Sequence, residues 1–168
     1  MSVPTLRGEE LYIPFVGAII EREVEGKIQI LLQIREKKDD KKYSGCYEIP
    51  GGKQRAFEDV YETLRREVRE ECGLNVTFVQ GENKRLDFKN QEDTSTLIEP
   101  FCVTQMQEGP FIGLIFLCHA TGTPAAVTNE SKDSHWMDLE EVRKIIEDTP
   151  QKFYTADLAP LKRYLSIR

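Results

Sequence analysis

Read as apolar and polar positions, the chain opens on "IPFVGAIIERE", residues 13–23, whose β-branched and aromatic content predicts a strand. "VEGK" supplies a turn at Gly26, and "KIQILLQIR", residues 27–35, follows as the partner strand. The charge run "EKKDDKK" reads as a solvated loop. "CYEI" is a short strand stopped by "PGGK", where Pro50, Gly51 and Gly52 should end regular structure. From residue 58 to residue 72 the apolar spacing becomes four: Val60, Leu64, Val68 and Cys72 form a helical stripe, and Gly73 stops it. "NVTFVQG", "TLIEPFCVTQM" and "FIGLIFLCHA" return to strand-like content, the last two joined through "QEGP" as a hairpin. "HWMDL" leads as a short strand into the helix "LEEVRKIIED", with Leu139, Val142, Ile145 and Ile146 inward, and "TADLAPLKRYL" forms a last helix. No repeat, low-complexity tract or linker interrupts this order. The pattern predicts an α/β protein with helices packed on a sheet, one domain over residues 1–168.

Composition narrows the class. The 168 residues are 39% hydrophobic and 31% charged, the balance of a globular protein with a real core. No apolar run nears the roughly 20 residues of a membrane span, and "MSVPTLRGEELYIPF" lacks the basic-then-apolar layout of a secretory signal. Four scattered cysteines without a C-x-x-C pair argue against a zinc site and a disulfide scaffold, and fit reduced thiols in a cytoplasmic protein. His119, inside an apolar strand, is expected in the core. The net charge of −6 speaks against general nucleic-acid binding. It leaves room for a small phosphate-bearing ligand, because a divalent cation reverses the local field.

The helix ends in "RREVREECGL", which puts Glu67, Glu70 and Glu71 together at the seam between core and solvent. Like charges at helical spacing repel, and folding does not ask for them. A hard divalent cation does: magnesium takes a few carboxylates in octahedral geometry together with waters and phosphates. With the preceding turn, "GKQRAFEDVYETLRREVREECGL" satisfies G-x(5)-E-x(7)-R-E-U-x-E-E-x-G-U, with U aliphatic, through Gly52, Glu58, Arg66, Glu67, Val68, Glu70, Glu71, Gly73 and Leu74.

This segment resembles the Nudix box, the signature of hydrolases acting on nucleoside diphosphates linked to another moiety. The resemblance implies an α/β/α sandwich with a mixed β-sheet between helices, and a Mg2+ cofactor for which Mn2+ can substitute. It implies Glu67, Glu70, Glu71 and the carbonyl of Gly51 as metal ligands, with Glu67 also the general base. Glu58 and Arg66 join the catalytic group as a pair holding loop to helix. Gly51, Gly52 and Lys53 form the turn that meets the phosphates, and Arg35 matches a phosphate-contacting position. Glu130 precedes Trp136 at the spacing of an extra metal-ligand glutamate in MutT-like members. The implied partner is a small-molecule nucleotide; a homodimer is left open.

"YEIPGGK" is similar to the corresponding stretch of nucleoside triphosphate hydrolases, so the leading expectation is release of a monophosphate and pyrophosphate. ADP-ribose or a nucleotide sugar is the alternative substrate, and a non-catalytic nucleotide sensor is the alternative class. Before the last helix, where a guanine-reading asparagine is expected, the chain offers "QKFYTADL" with Tyr154. The segment "DFKNQEDTSTLIEPF" looks like an insertion able to shape the base or sugar pocket. A P-loop is excluded, because Gln54 follows the lysine of "PGGK".

Overall fold

The structure, a computed structural model, describes residues 4–36, 41–127 and 131–168. A small hairpin of β1 (Thr5–Leu6) and β2 (Glu9–Glu10) precedes the long strands β3 (Ile13–Val24) and β4 (Lys27–Arg35). These two run antiparallel about Glu25 and Gly26, both in left-handed backbone at φ 51° and 75°. Short strands β5 (Tyr47–Glu48) and β6 (Gly51–Lys53) attach to β4 and β3, and α1 (Val60–Cys72) follows. Then come β7 (Asn75–Val79), a hairpin of β8 (Leu86–Asn90) and β9 (Asp93–Leu97), β10 (Cys102–Gln105), β11 (Phe111–Thr121) and β12 (Ser131–Asp138). Helices α2 (Leu139–Asp148) and α3 (Thr155–Leu165) end the chain. The main sheet has the order β10-β11-β3-β4-β12 and is mixed, since β11 pairs parallel with β3 while its other pairings are antiparallel.

Period-2 alternation in the central strands builds two cores. Ile19, Ile30, Leu32, Ile115 and Leu117 face one side and pack under α2 and α3 with Val142, Ile146, Leu161 and Tyr164. Val16, Ala18, Ile20, Leu31, Phe116 and Cys118 face the other and receive Val60, Leu64, Val68 and Cys72 of α1. The predicted helical stripe is therefore the buried face of α1, and the architecture is an α/β/α sandwich. Among the described residues no helix is long and apolar enough to cross a membrane.

Local chemistry sets the ends of α1. Asp59 caps it, its carboxylate accepting from the backbone N–H of Tyr61 at 2.8 Å and of Glu62 at 3.3 Å, so the helix starts at Val60. Such a cap contributes about 1 kcal/mol. At the far end Gly73 adopts φ 70° and donates its N–H to the Arg69 carbonyl, the left-handed stop expected of it.

The structure corrects three expectations. "TLIEPFCVTQM" is not one strand: its first two residues end β9 and only Cys102–Gln105 pair with β11. Regular structure does not end at "PGGK": Pro50 breaks the strand, but Gly51–Lys53 resume pairing with β3 in the register Gly17↔Gly51, Val16↔Gly52 and Phe15↔Lys53. The glycines permit this because the two backbones come closer than a side chain would allow. His119 is exposed rather than in the core: it shares a face with the buried Ile115 and Leu117 but lies beyond them near the end of β11, where its ring meets Phe78 and Nε2 lies 3.6 Å from Glu21.

Candidate active site

Helix α1 delivers the acidic residues in a graded series across the seam. Glu71 is buried, Glu67 is mostly covered, and Glu70 is 55% exposed. Glu71 Oε2 accepts from the backbone N–H of Gly51 at 2.9 Å and from Gln33 Nε2 at 2.8 Å, which ties helix, glycine turn and β4 together. The Arg66 guanidinium grips Glu58 with two bonds, Nε to Oε1 at 2.7 Å and Nη2 to Oε2 at 2.8 Å. Its Nη1 also reaches Glu67 at 2.6 Å and Glu70 at 3.2 Å. The Thr63 hydroxyl donates to Glu58 as well. Arg66 holds the Glu58 carboxyl down at about 2, well below its ordinary value. The Glu58–Arg66 pairing expected from the spacing is present, and Arg66 does more than lock the loop. It is the counter-charge shared by three glutamates.

Among the described residues, no three acidic, histidine or cysteine side chains converge closely enough to hold a metal ion as they stand. The donor set nonetheless suits a hard divalent cation: Glu67 and Glu71, one turn apart on one rigid helix, face the glycine strand. Gly52 lies directly against the Glu67 carboxylate, where an added Cβ would sit 2.2 Å from Oε2. A cation at this place would compete with Arg66 for the oxygens of Glu67 and Glu70.

The two glycines should respond oppositely to alanine. At Gly51 the new Cβ would meet the Val16 carbonyl oxygen at 2.2 Å, a backbone atom that cannot swing away. Gly51→Ala is expected to lower the melting temperature clearly. At Gly52 every close atom belongs to the flexible end of Glu67, so Gly52→Ala should fold nearly normally while displacing that carboxylate and lowering turnover. Parallel melts and rate measurements check the split, and two variants with equal stability loss would contradict it.

Beside the glutamates lies a cavity of about 100 Å³, lined in part by Gly51, Gly52, Lys53, Arg35, Tyr154 and Asp157. Arg35, read from the sequence as a phosphate contact, enters its wall as part of a buried network. Its Nη1 bonds Glu48 Oε2 at 2.8 Å and its guanidinium lies 4.3 Å from the Tyr154 ring centroid. Glu48 Oε1 in turn accepts from Gln33 Nε2 at 3.2 Å, so Arg35, Glu48, Gln33 and Glu71 form one chain from the cavity to the acidic helix. Sequence reasoning passed over Gln33 and Glu48. Their signal was a polar residue interrupting each of the apolar stretches "ILLQI" and "YEI".

Asp157 was also missed. It is buried, and its Oδ2 accepts from the Ile49 N–H at 3.0 Å. Burial, reinforced by Glu48, pushes its carboxyl well above the ordinary range and favours the neutral acid. Its signal was an acidic residue on the inward face of α3, four positions before the buried Leu161. The Tyr154 N–H, bonded to the Tyr47 carbonyl at 2.8 Å, fixes the start of α3 beside the cavity. Phe57, in left-handed backbone at φ 65°, turns the chain from β6 toward the helix. Glu130 lies outside the described residues. The hairpin β8–β9 pairs with no strand of the main sheet, and none of its residues lines the cavity, so it does not shape that pocket.

Comparison with known proteins agrees with this geometry. A family model described as a NUDIX domain matches residues 12–158. The 8-oxo-dGDP phosphatase NUDT18 of Danio rerio is 31% identical over 139 residues, covering 80% of this chain and 34% of that protein. The chain thus spans about a third of the length of this relative. The crystal structure of a MutT NUDIX hydrolase from Burkholderia pseudomallei superposes with a TM-score of 0.60 at 22% identity, covering 91% of this chain and 98% of that one. The NUDIX domain of Shewanella oneidensis NrtR, solved with ADP ribose, superposes with a TM-score of 0.59 at 14% identity, covering 84% and 82%. With the box read from the sequence, the mixed α/β/α sandwich and a family match over most of its length, the chain belongs to the NUDIX family of hydrolases.

Proposed function

We propose that the protein hydrolyses a phosphoanhydride bond of a nucleoside triphosphate, giving a nucleoside monophosphate and pyrophosphate, with Mg2+ as cofactor and Mn2+ as a substitute. The observation that carries this reading is the shared cavity: the glycine strand Gly51–Lys53 lines the same space as Arg35, Tyr154 and Asp157. A phosphate chain on the glycine strand would thereby bring an attached base against the aromatic and carboxyl wall.

Glu67, Glu70, Glu71 and the Gly51 carbonyl would hold the cation. When bound it supplies charge for the phosphates and acidifies a water. Glu67 accepts the proton of the attacking water, its carboxylate positioned by the 2.6 Å contact with Arg66 Nη1. The water oxygen bonds to phosphorus, the bridging P–O bond breaks, and pyrophosphate leaves. Arg35, held by Glu48 and Tyr154, and the nearby Lys53 bind the phosphates. Neutral Asp157 uses one oxygen to accept from Ile49 and offers its O–H to an acceptor on the base.

A second reading, a nucleoside diphosphate, is favoured by the zebrafish relative, an 8-oxo-dGDP phosphatase. A panel of ordinary triphosphates, oxidised dGTP, oxidised dGDP, ADP-ribose and nucleotide sugars, compared by kcat/KM with magnesium, tests both. Ordinary triphosphates should lie within about tenfold of oxidised dGTP, since Tyr154 stands where a guanine-reading asparagine is expected and the single O–H of Asp157 finds an acceptor on ordinary and oxidised bases alike. An exclusive preference for oxidised dGTP would refute that specificity, and oxidised dGDP as best substrate would favour the second reading. ADP-ribose as best substrate would move the assignment to that class. No metal-dependent turnover on any compound would leave a sensing module.

A further inference from the structure

The hairpin β8–β9 stands outside the main sheet, and every residue of both strands is exposed. Its register pairs Leu86 with Leu97, Phe88 with Ser95 and Asn90 with Asp93 across the two-residue loop Gln91–Glu92. Leu86, Phe88 and Leu97 therefore share one face, and Phe88 is 62% exposed. An isolated two-stranded hairpin is marginal in water, and an open edge is a template for another strand.

The base of this hairpin is fixed to the body. Arg85 Nη1 bonds the Asp59 carboxylate at 2.6 Å, Arg65 holds Glu82 with bonds of 2.8 and 2.7 Å, and Lys84 reaches Glu99 at 2.8 Å. These ties, made partly to α1 and its cap, hold the projecting strands in one orientation.

Among the described residues β8 pairs only with β9, so its outer edge is open. That edge is complementary to itself. Laid antiparallel on a second copy with Phe88 at the centre, "LDFKN" sets Asp87 opposite Lys89 twice, Leu86 opposite Asn90, and Phe88 opposite Phe88. The backbone agrees with that register. The pair closing a two-residue loop exchanges both hydrogen bonds, and the pattern then alternates. Asn90, Phe88 and Leu86 thus spend their backbone groups on β9, while Asp87 and Lys89 turn theirs to the open edge. The Thr94 N–H, bonded at 2.8 Å to the Asp93 carboxylate instead of crossing to Lys89, fits this alternation. The other edge lacks such a match, because β9 centred on Ser95 would set Asp93 against Leu97.

We propose that β8 is a dimerisation strand, which joins the same strand of a second copy to make a four-stranded antiparallel sheet about a twofold axis at Phe88. A single strand pair buries less than the roughly 1,200 Å² of a standard interface, so the dimer exchanges with monomer and grows with concentration. No hairpin residue lines the cavity, so both active sites stay open.

Sedimentation velocity from low-micromolar to near-millimolar protein tests this, with hydrolytic rate as a control for folding. The wild type should dimerise with rising concentration. Lys89→Asp, which sets like charges across both pairs, should weaken association by about tenfold or more. Combining it with Asp87→Lys should restore the dimer. Phe88→Cys should give a covalent dimer on mild oxidation, whereas Asn90→Cys, displaced from the axis, should stay at the level that the native cysteines give the wild type. A wild type that remains monomeric throughout, or a dimer indifferent to Lys89→Asp and not trapped by Phe88→Cys, overturns the proposal.

Discussion

Replacing Glu70 by glutamine lowers kcat/KM by about 100- to 1000-fold and leaves the fold intact. The magnitude is that of removing one pre-placed group that stabilises charge in a transition state, about 2.7–4 kcal/mol. The structure makes Glu70 the cleaner choice of the two glutamates proposed as metal ligands and tested by charge removal. It is the exposed member, and it accepts a 3.2 Å bond from Arg66 that a glutamine oxygen can still accept. Glu71→Gln should lower turnover at least as far. Its fold cost is greater, because the carboxylate is buried and accepts from both Gly51 and Gln33. Steady-state rates on every active substrate, beside a thermal melt of each variant, separate the two effects. Wild-type rates in Glu70→Gln would show that the acidic helix does not carry the chemistry.

Magnesium should stabilise the wild type against heat by about 2.7 kcal/mol at a hundred times its dissociation constant, and chelator should remove that gain. Glu67→Gln should gain less, having lost a ligand. In chelator the substitution has two opposed effects. It relieves like-charge repulsion along the helix, about 0.2–0.5 kcal/mol per exposed pair, and it weakens the contact to Arg66 Nη1. The sequence alone favours slight stabilisation. With Arg66 already bridging Glu67 and Glu70, the two effects nearly cancel, and the variant should melt close to the wild type. Melts of both proteins across a magnesium titration decide it. Equal gains in the two, with a less stable variant in chelator, would assign Glu67 to the fold instead of the metal.

The sequence by itself determined several of the regular elements and the identity of the acidic helix. The stripe Val60, Leu64, Val68 and Cys72, the glycine stop at Gly73, and the bounds of β4, α2 and α3 follow from local rules: period, propensity and capping act within a few residues of each other. The Glu58–Arg66 pair was legible for the same reason, since both residues belong to one local motif. Tertiary structure alone decided what depends on distant segments meeting. Gly51–Lys53 became a strand because β3 lies alongside, and His119 is exposed because the core under α2 and α3 stops at Leu117, before the strand does. Gln33, Glu48 and Asp157 were not legible from the sequence as site residues. Burial raises the cost of an unpaired polar group, and the partners that meet that cost come from β4, β5, α1 and α3, far apart along the chain. The three glutamates show both levels at once. Their spacing announced a crowded charge, but only the folded chain placed Arg66 between two of them and buried the third.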